Sequence, residues 1–124
     1  MAHSREHSEI DRLLTDGAFA QAAAESVQAL ATPSRLRILA RLHTGAASVN
    51  EIAAAVGMES SAVSHQLRLL RHLGLVVGQR DGRQVVYALY DDHVADLLDQ
   101  VVAHVEHVRL GLAGRHETSD TATA

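Results

Sequence analysis

The sequence predicts a small, mainly α-helical domain carrying one β-hairpin, and three observations predict it. Apolar residues recur at helical spacing over most of residues 18–110, and only the stretch 75–90 switches to a period of two. Helix start and stop signals fall between the periodic stretches: Thr32-Pro33, Ser48 with Glu51, and Gly45, Gly57 and Gly74. The 124 residues suffice for one domain and are too few for two ordinary ones. The expected order is α-α-α-α-β-β-α.

Residues 1–16 are polar and charged, lack the apolar core of a signal peptide, and end at Gly17. Residues 113–124 are small and polar, and both ends read as mobile tails around a domain over residues 17–112. Residues 18–31 are alanine-rich, with Phe19, Val27 and Leu30 apolar, and form a first helix. Thr32 supplies an N-cap hydroxyl and Pro33 the first helical position, opening a helix that carries Leu36, Ile38, Leu39 and Leu42 and stops at Gly45. Ser48-Val49-Asn50-Glu51 is a capping box, in which hydroxyl and carboxylate satisfy each other's orphan backbone donors. The short helix it opens turns Ile52, Ala53 and Val56 inward and ends at Gly57. Another begins at Ser60 or Ser61, carries Val63, Leu67 and Leu70 at i, i+4 and i+7, and is ended by Gly74. The β-rich runs 75–77 and 85–90 bracket Gln79-Arg80-Asp81-Gly82-Arg83; Asp-Gly there signals a hairpin whose turn needs positive φ. Asp91 or Asp92 caps a long last helix, apolar at Val94, Leu97, Leu98, Val101, Val102, Val105 and Val108 and running to about Leu110.

Two short helices joined by a tight turn at Gly57 and followed by a hairpin make a winged helix-turn-helix pattern. With Val63, Leu67 and Leu70 inward, the second helix shows Ser61, Ser64, His65, Gln66, Arg68 and Arg71. Small hydroxyls let the backbone approach a groove and donate to phosphates, while Gln66 and Arg68 can reach base edges. Arg80 and Arg83 stand at the hairpin tip, where a wing meets the phosphate backbone. The net charge of −4 hides a segregation that agrees with this. Residues 33–90 hold seven arginines against three carboxylates, whereas residues 1–32 carry −3 and residues 91–124 carry −5. Two Tyr, one Phe and no Trp give no stacking platform for single strands, so duplex DNA is the expected target.

Three stretches resemble the ArsR/SmtB family of winged-helix transcriptional regulators: ATPSRLRIL at 31–39, SAVSHQLRLLRHLGLV at 61–76 and the RDGR wing at 80–83. The resemblance covers about residues 20–112. It implies a homodimer paired through its first and last helices, bound to double-stranded operator DNA with an inverted repeat. It also implies a bacterial, cytoplasmic regulator that usually represses until an inducer binds.

Nine histidines in a chain without cysteine call for a role. Absent thiolates remove disulfides, Fe–S clusters and soft-metal sites together. His65 lies on the second helix of the helix-turn-helix as a DNA contact, and His43 and His72 lie near helix ends, where they can meet the last carbonyls. The other six, His3, His7, His93, His104, His107 and His116, fall in the acidic flanks, and imidazole beside carboxylate suits borderline divalent cations. His104 and His107 share a helix face, and His93, 11 residues before His104, is only ~20° off it. Those residues nevertheless span ~16 Å along the axis, and ligands of one ion lie ~2 Å from it. Two antiparallel copies of the helix, centred near Asp99, would bring Asp91 and His93 of one to His104 and His107 of the other.

The resemblance implies the same place: many family members carry a metal site on the last helix across the dimer interface. The pattern D-x-H-x10-H-x2-H matches it at Asp91, His93, His104 and His107. Four such ligands suit tetrahedral Zn(II). Ni(II) and Co(II) prefer six, for which His3, His7, His116 and a freed amine on Ala2 are further candidates. Within the family the chain is most similar to nickel- and cobalt-sensing members, departing from them at Arg109, where they carry another histidine. Soft-metal sensors of the family use cysteines, often in the helix-turn-helix, where this chain reads Val49-Asn50-Glu51-Ile52-Ala53.

The expected function is a metal-responsive DNA-binding regulator. An alternative keeps the DNA-binding dimer but gives its control to a regulatory protein partner or an organic ligand. A small metal-dependent hydrolase is disfavoured, because the long helix offers no nucleophile, oxyanion donor or evident pocket, so no enzyme is expected. No apolar run is long enough to cross a membrane.

Overall fold

The protein, seen in a computed structural model, is described for the backbone of residues 2–123 and the side chains of residues 9–112. Its elements are α1 (Ala2–Thr15), α2 (Gly17–Gln28), α3 (Pro33–His43), β1 (Ala47–Ser48), α4 (Val49–Val56), α5 (Ser60–His72), β2 (Val76–Asp81), β3 (Gln84–Leu89) and α6 (Asp92–Thr123).

Side chains set where the central helices begin. Arg35 N–H donates to Thr32 Oγ1 at 3.3 Å, with Pro33 in the first turn of α3. Glu51 N–H donates to Ser48 Oγ at 3.3 Å and Ser48 N–H to Glu51 Oε1 at 3.0 Å, closing the expected capping box on α4. The N-cap residue of α5, Glu59, makes no side-chain bond; Ser60 Oγ instead donates to Asn50 Oδ1 at 3.0 Å, tying α5 to α4. Gly57, at φ 70°, ends α4 in the left-handed region and sets the turn between the two helices.

One core holds these pieces. Ile38 and Leu39 of α3, Ile52 of α4, Val63, Leu67 and Leu70 of α5, Val76 of β2 and Val94 of α6 are fully buried together. Truncating one of the larger of them to alanine costs about 2–5 kcal/mol. Both helices of the helix-turn-helix are therefore anchored on the same apolar contacts, and their outer faces are fixed relative to each other.

The sheet is antiparallel in the order β1-β3-β2. Strand β1 is absent from the sequence-derived order, because two residues cannot display a period of two. It pairs Ala47 with Tyr87 and Ser48 with Val86, so the residue that caps α4 is also stitched to the hairpin. The hairpin pairs Asp81 with Gln84, which makes Gly82-Arg83 the loop within the expected connecting stretch. Of these two loop residues only Gly82 takes positive φ, at 64°, the requirement of a turn with glycine in its first central position.

The chain ends depart from the expected helix limits. Residues 1–16 carry α1, which packs on α2 with the Arg12 guanidinium 4.1 Å from the Phe19 ring centroid and 3.5 Å from Asp16. Asp16 caps α2, accepting from Phe19 N–H at 3.1 Å. Helix α6 continues past Leu110 to Thr123. Among the described residues only its start enters the core, through Val94 and Leu98; further along, Val102, Val105, Val108, Leu110 and Leu112 are exposed, as are Ile10, Leu14 and Val27. Among the described residues no helix is long and apolar enough to cross a membrane.

Candidate DNA interface and metal ligands

The outer face of α5 is built by subtraction. Val63, Leu67 and Leu70 face the core, which leaves Ser61, His65, Arg68 and Arg71 exposed and Ser64 and Gln66 half-buried on the other side. Arg80 and Arg83 are exposed at the hairpin tip, as the sequence predicts. This face presents hydroxyls, an imidazole, an amide and guanidiniums. The fold adds a residue that spacing could not reveal: Arg35 Nε donates to Gln66 Oε1 at 2.8 Å across 31 residues of sequence.

Below this face, the Glu51 carboxyl is held below the ordinary glutamate value of 4.5. The bond from Ser48 N–H is the main cause, followed by the Ser48 hydroxyl, with the nearby Arg41 charge adding to it. The Asp16 carboxyl is likewise lowered, first by Phe19 N–H and then by Arg12. Both carboxylates stay anionic where they cap a helix.

The metal candidates lie on α6. Asp91 Oδ1 accepts from His93 N–H at 3.0 Å, so Asp91 rather than Asp92 caps the helix, and the same oxygen contacts His93 Nδ1. Oδ2 takes part in neither contact. Asp91, His93, His104 and His107 are all exposed. Among the described residues no group of three or more histidines or carboxylates converges. That follows from the ~16 Å between His93 and His104 on one helix. The donor types fit a borderline divalent cation, but a single chain does not bring them together. The side chains of His3, His7 and His116 lie outside the described residues.

His43 departs from its expected place at the last carbonyls of α3. Its Nε2 meets Asp99 Oδ1 at 2.9 Å and joins α3 to α6. The pair borders a groove of about 410 Å³ lined by Leu36, Ala40, Leu98 and Val102. His72 is exposed at the end of α5.

Comparison with known proteins identifies the architecture. Residues 32–77 match the sequence profile described as bacterial regulatory protein, arsR family. Over 104 residues the chain is 58% identical to the HTH-type transcriptional regulator NmtR of Mycobacterium tuberculosis (strain ATCC 25618 / H37Rv), covering 84% of this chain and 87% of that one. The chain belongs to the ArsR family. The solution structure of apo-NmtR, at 60% identity, resembles this ArsR-family fold with a TM-score of 0.64, covering 74% of this chain and 77% of that one. The homodimeric winged helix-turn-helix DNA-binding domain Mb0332 of Mycobacterium bovis, at 38% identity, gives 0.68 over 78% of this chain and 91% of that one. The ArsR-family protein is thus a winged helix-turn-helix transcriptional regulator and not an enzyme.

Proposed function

We propose that this ArsR-family protein is a cytoplasmic, homodimeric, metal-responsive repressor. Residues 17–112 form its DNA-binding and dimerisation unit, flanked by the segments 1–16 and 113–124. Ser61, Ser64, His65, Gln66, Arg68 and Arg71, with Arg80 and Arg83 on the wing, contact an operator whose inverted repeat mirrors the dimer. Ni(II) or Co(II) is the effector, with Zn(II) as the four-coordinate alternative, at Asp91 and His93 of one subunit and His104 and His107 of the other. His3, His7 and His116 are the additional ligands available to a six-coordinate ion.

The observation that carries this reading is the form of α6. It exposes the apolar residues Leu97 and Val102 on either side of Asp99, with Asp91 and His93 at its start and His104 and His107 beyond its first three turns. Burying that segment against a second antiparallel α6 that crosses near Asp99 would bring Asp91 and His93 of one copy to His104 and His107 of the other, which one chain cannot do alone. A bound divalent cation would supply the charge that draws nitrogen and oxygen donors of two subunits to ~2 Å from one point. His104 and His107 offer two donors from one face, and Asp91 keeps Oδ2 for a further partner while Oδ1 caps the helix. Pinning the α6 pair fixes the angle between subunits and so the separation of the two α5 helices. A coupling of about 1–3 kcal/mol is enough to change operator affinity 5–150-fold.

Calorimetric titration with Ni(II), Co(II) and Zn(II), run beside operator binding, tests this. Binding should be lost in the double variant His104→Ala/His107→Ala, and removing residues 1–16 should weaken Ni(II) and Co(II) more than Zn(II). Operator affinity indifferent to all three metals refutes the metal-responsive reading. The groove between α3 and α6 favours one second reading, a regulator of the same fold controlled by an organic ligand or a partner protein. Undiminished metal binding in the double variant would support it.

A further inference from the structure

Helix α6 leaves the domain at a polar tie. Among the described residues Val94 and Leu98 are the ones it buries, and Asp99, next in sequence, meets His43 Nε2 through Oδ1 at 2.9 Å. An ionised carboxylate only accepts, so the imidazole donates from Nε2 whether it is neutral or charged. Among the described residues this is the one side-chain hydrogen bond between α6 and another element. Just beyond it a groove of about 410 Å³ lies open between α3 and α6, lined by Leu36, Ala40, Leu98 and the exposed Val102. Past Asp99 the helix therefore has room to settle onto α3 or to lift away from it.

The metal donors and the DNA face lie on opposite sides of this tie. His104 and His107 follow Asp99 by five and eight residues, about 8 and 12 Å along the helix. On the other side, His43 ends α3, an 11-residue helix. Two turns before His43, Arg35 Nε donates to Gln66 Oε1 at 2.8 Å, and between them Leu39 shares a core with Leu67 of α5. Helix α6 packs chiefly on α3 and β3, and of these α3 is the one with side-chain hydrogen bonds to both α6 and α5. We infer that His43 and Asp99 are positioning residues for regulation: their hydrogen bond is the joint through which metal held on α6 shifts α3, and with α3 the α5 face that meets the operator. Without the joint, α6 follows the metal through the open groove and α3 stays where it was. This rests on the metal-responsive reading proposed above.

The test measures operator affinity of the full-length protein with and without saturating Ni(II), Co(II) or Zn(II), beside calorimetric metal stoichiometry, at one pH and salt concentration. It compares the wild type with His43→Ala, Asp99→Ala, the double variant and His43→Arg. Each alanine variant should bind metal with the wild-type stoichiometry and bind the operator as the wild type does when metal is absent. The factor by which metal changes operator affinity should shrink about threefold to fivefold, the upper weight of an exposed ion pair. The double variant should lose no more than either single one, because all three remove the same bond. His43→Arg keeps a donor opposite Asp99 and should keep the wild-type response. Single variants that respond to metal like the wild type overturn the inference, and so does a double variant whose loss is the sum of the two. Altered stoichiometry, or weakened operator binding without metal, in the alanine variants also overturns it, since the pair would then serve the site or the fold. A wild type indifferent to all three metals refutes the metal-responsive reading, and the inference falls with it. In the metal-free protein the His43 Nε2 resonance should move on Asp99→Ala; a stationary resonance removes the contact itself.

Discussion

Replacing Gly57 tests whether backbone conformation alone holds the turn between α4 and α5. Its φ of 70° and ψ of 37° lie in the left-handed region, and a Cβ placed there would meet nothing within 4 Å. The cost of Gly57→Ala is therefore conformational and not steric. A left-handed residue with a Cβ costs about 1–2 kcal/mol. Reduced freedom of the unfolded chain offsets about 0.4–1 kcal/mol of that, leaving a net loss of about 1 kcal/mol. For a domain of this size the midpoint of thermal unfolding should fall by roughly 3–6 °C. Asparagine tolerates the region better than alanine, so Gly57→Asn should lose about half as much. Circular dichroism melts at one protein concentration read both values, since the proposed dimer would make the midpoint concentration-dependent. Gly57 N–H and Met58 N–H both donate to Ala53 O, at 2.9 and 3.2 Å, and both bonds survive if the turn keeps its shape. Operator affinity measured well below the melt should then be unchanged. An Ala variant as stable as the wild type, or an Asn variant no better than Ala, refutes this account of the turn.

Other expectations follow from the same contacts. Arg80→Ala and Arg83→Ala should each lower the slope of log affinity against log salt by about 0.9 without altering base preference; an unchanged slope means that side chain neutralises no phosphate. The depressed Glu51 carboxyl contributes stability that is present above its ordinary value of 4.5 and lost as pH falls through the lower folded value. Wild type should therefore exceed Glu51→Gln in melting temperature at about pH 7, and the gap should narrow as the pH falls below the ordinary glutamate value. A Cβ on Gly78 would lie 3.1 Å from Tyr87 Cε1 and 3.2 Å from Val85 Cγ1. Gly78→Val should accordingly cost about 1–3 kcal/mol in urea unfolding despite the strand preference of valine, and a more stable variant would show that Tyr87 is free to move aside.

Much of the central fold is legible because its signals are local. A hydroxyl before proline, Ser48 three residues ahead of Glu51, and glycine at the end of α4 each act within one helical turn, and the structure forms the corresponding caps. The buried residues of α5 follow from a spacing that any helix imposes. Other features depend on chain that is distant in sequence. Strand β1 exists only because β3 lies beside it. The Asp-Gly dipeptide marks the hairpin, but the two-residue loop within it is fixed by the pairing of Asp81 with Gln84 across the strands. His43 sits near a helix end, where local carbonyls offered it a partner, but packing brought Asp99 to it from 56 residues away.

The sequence by itself determined that this is a winged helix-turn-helix regulator, where its helices start and stop, which face of α5 turns outward, and which residue types crowd its last helix. These are consequences of capping, periodicity and composition, all of which operate over a few residues. Tertiary structure alone decided that Ser48 serves both α4 and the sheet, that Asp91 caps α6 while touching His93, and that Arg35 holds the oxygen of Gln66. The last of these lies beyond sequence pattern because a hydrogen bond of 2.8 Å between residues 31 apart is set by how two helices pack on a common core, and no periodicity within either helix records it.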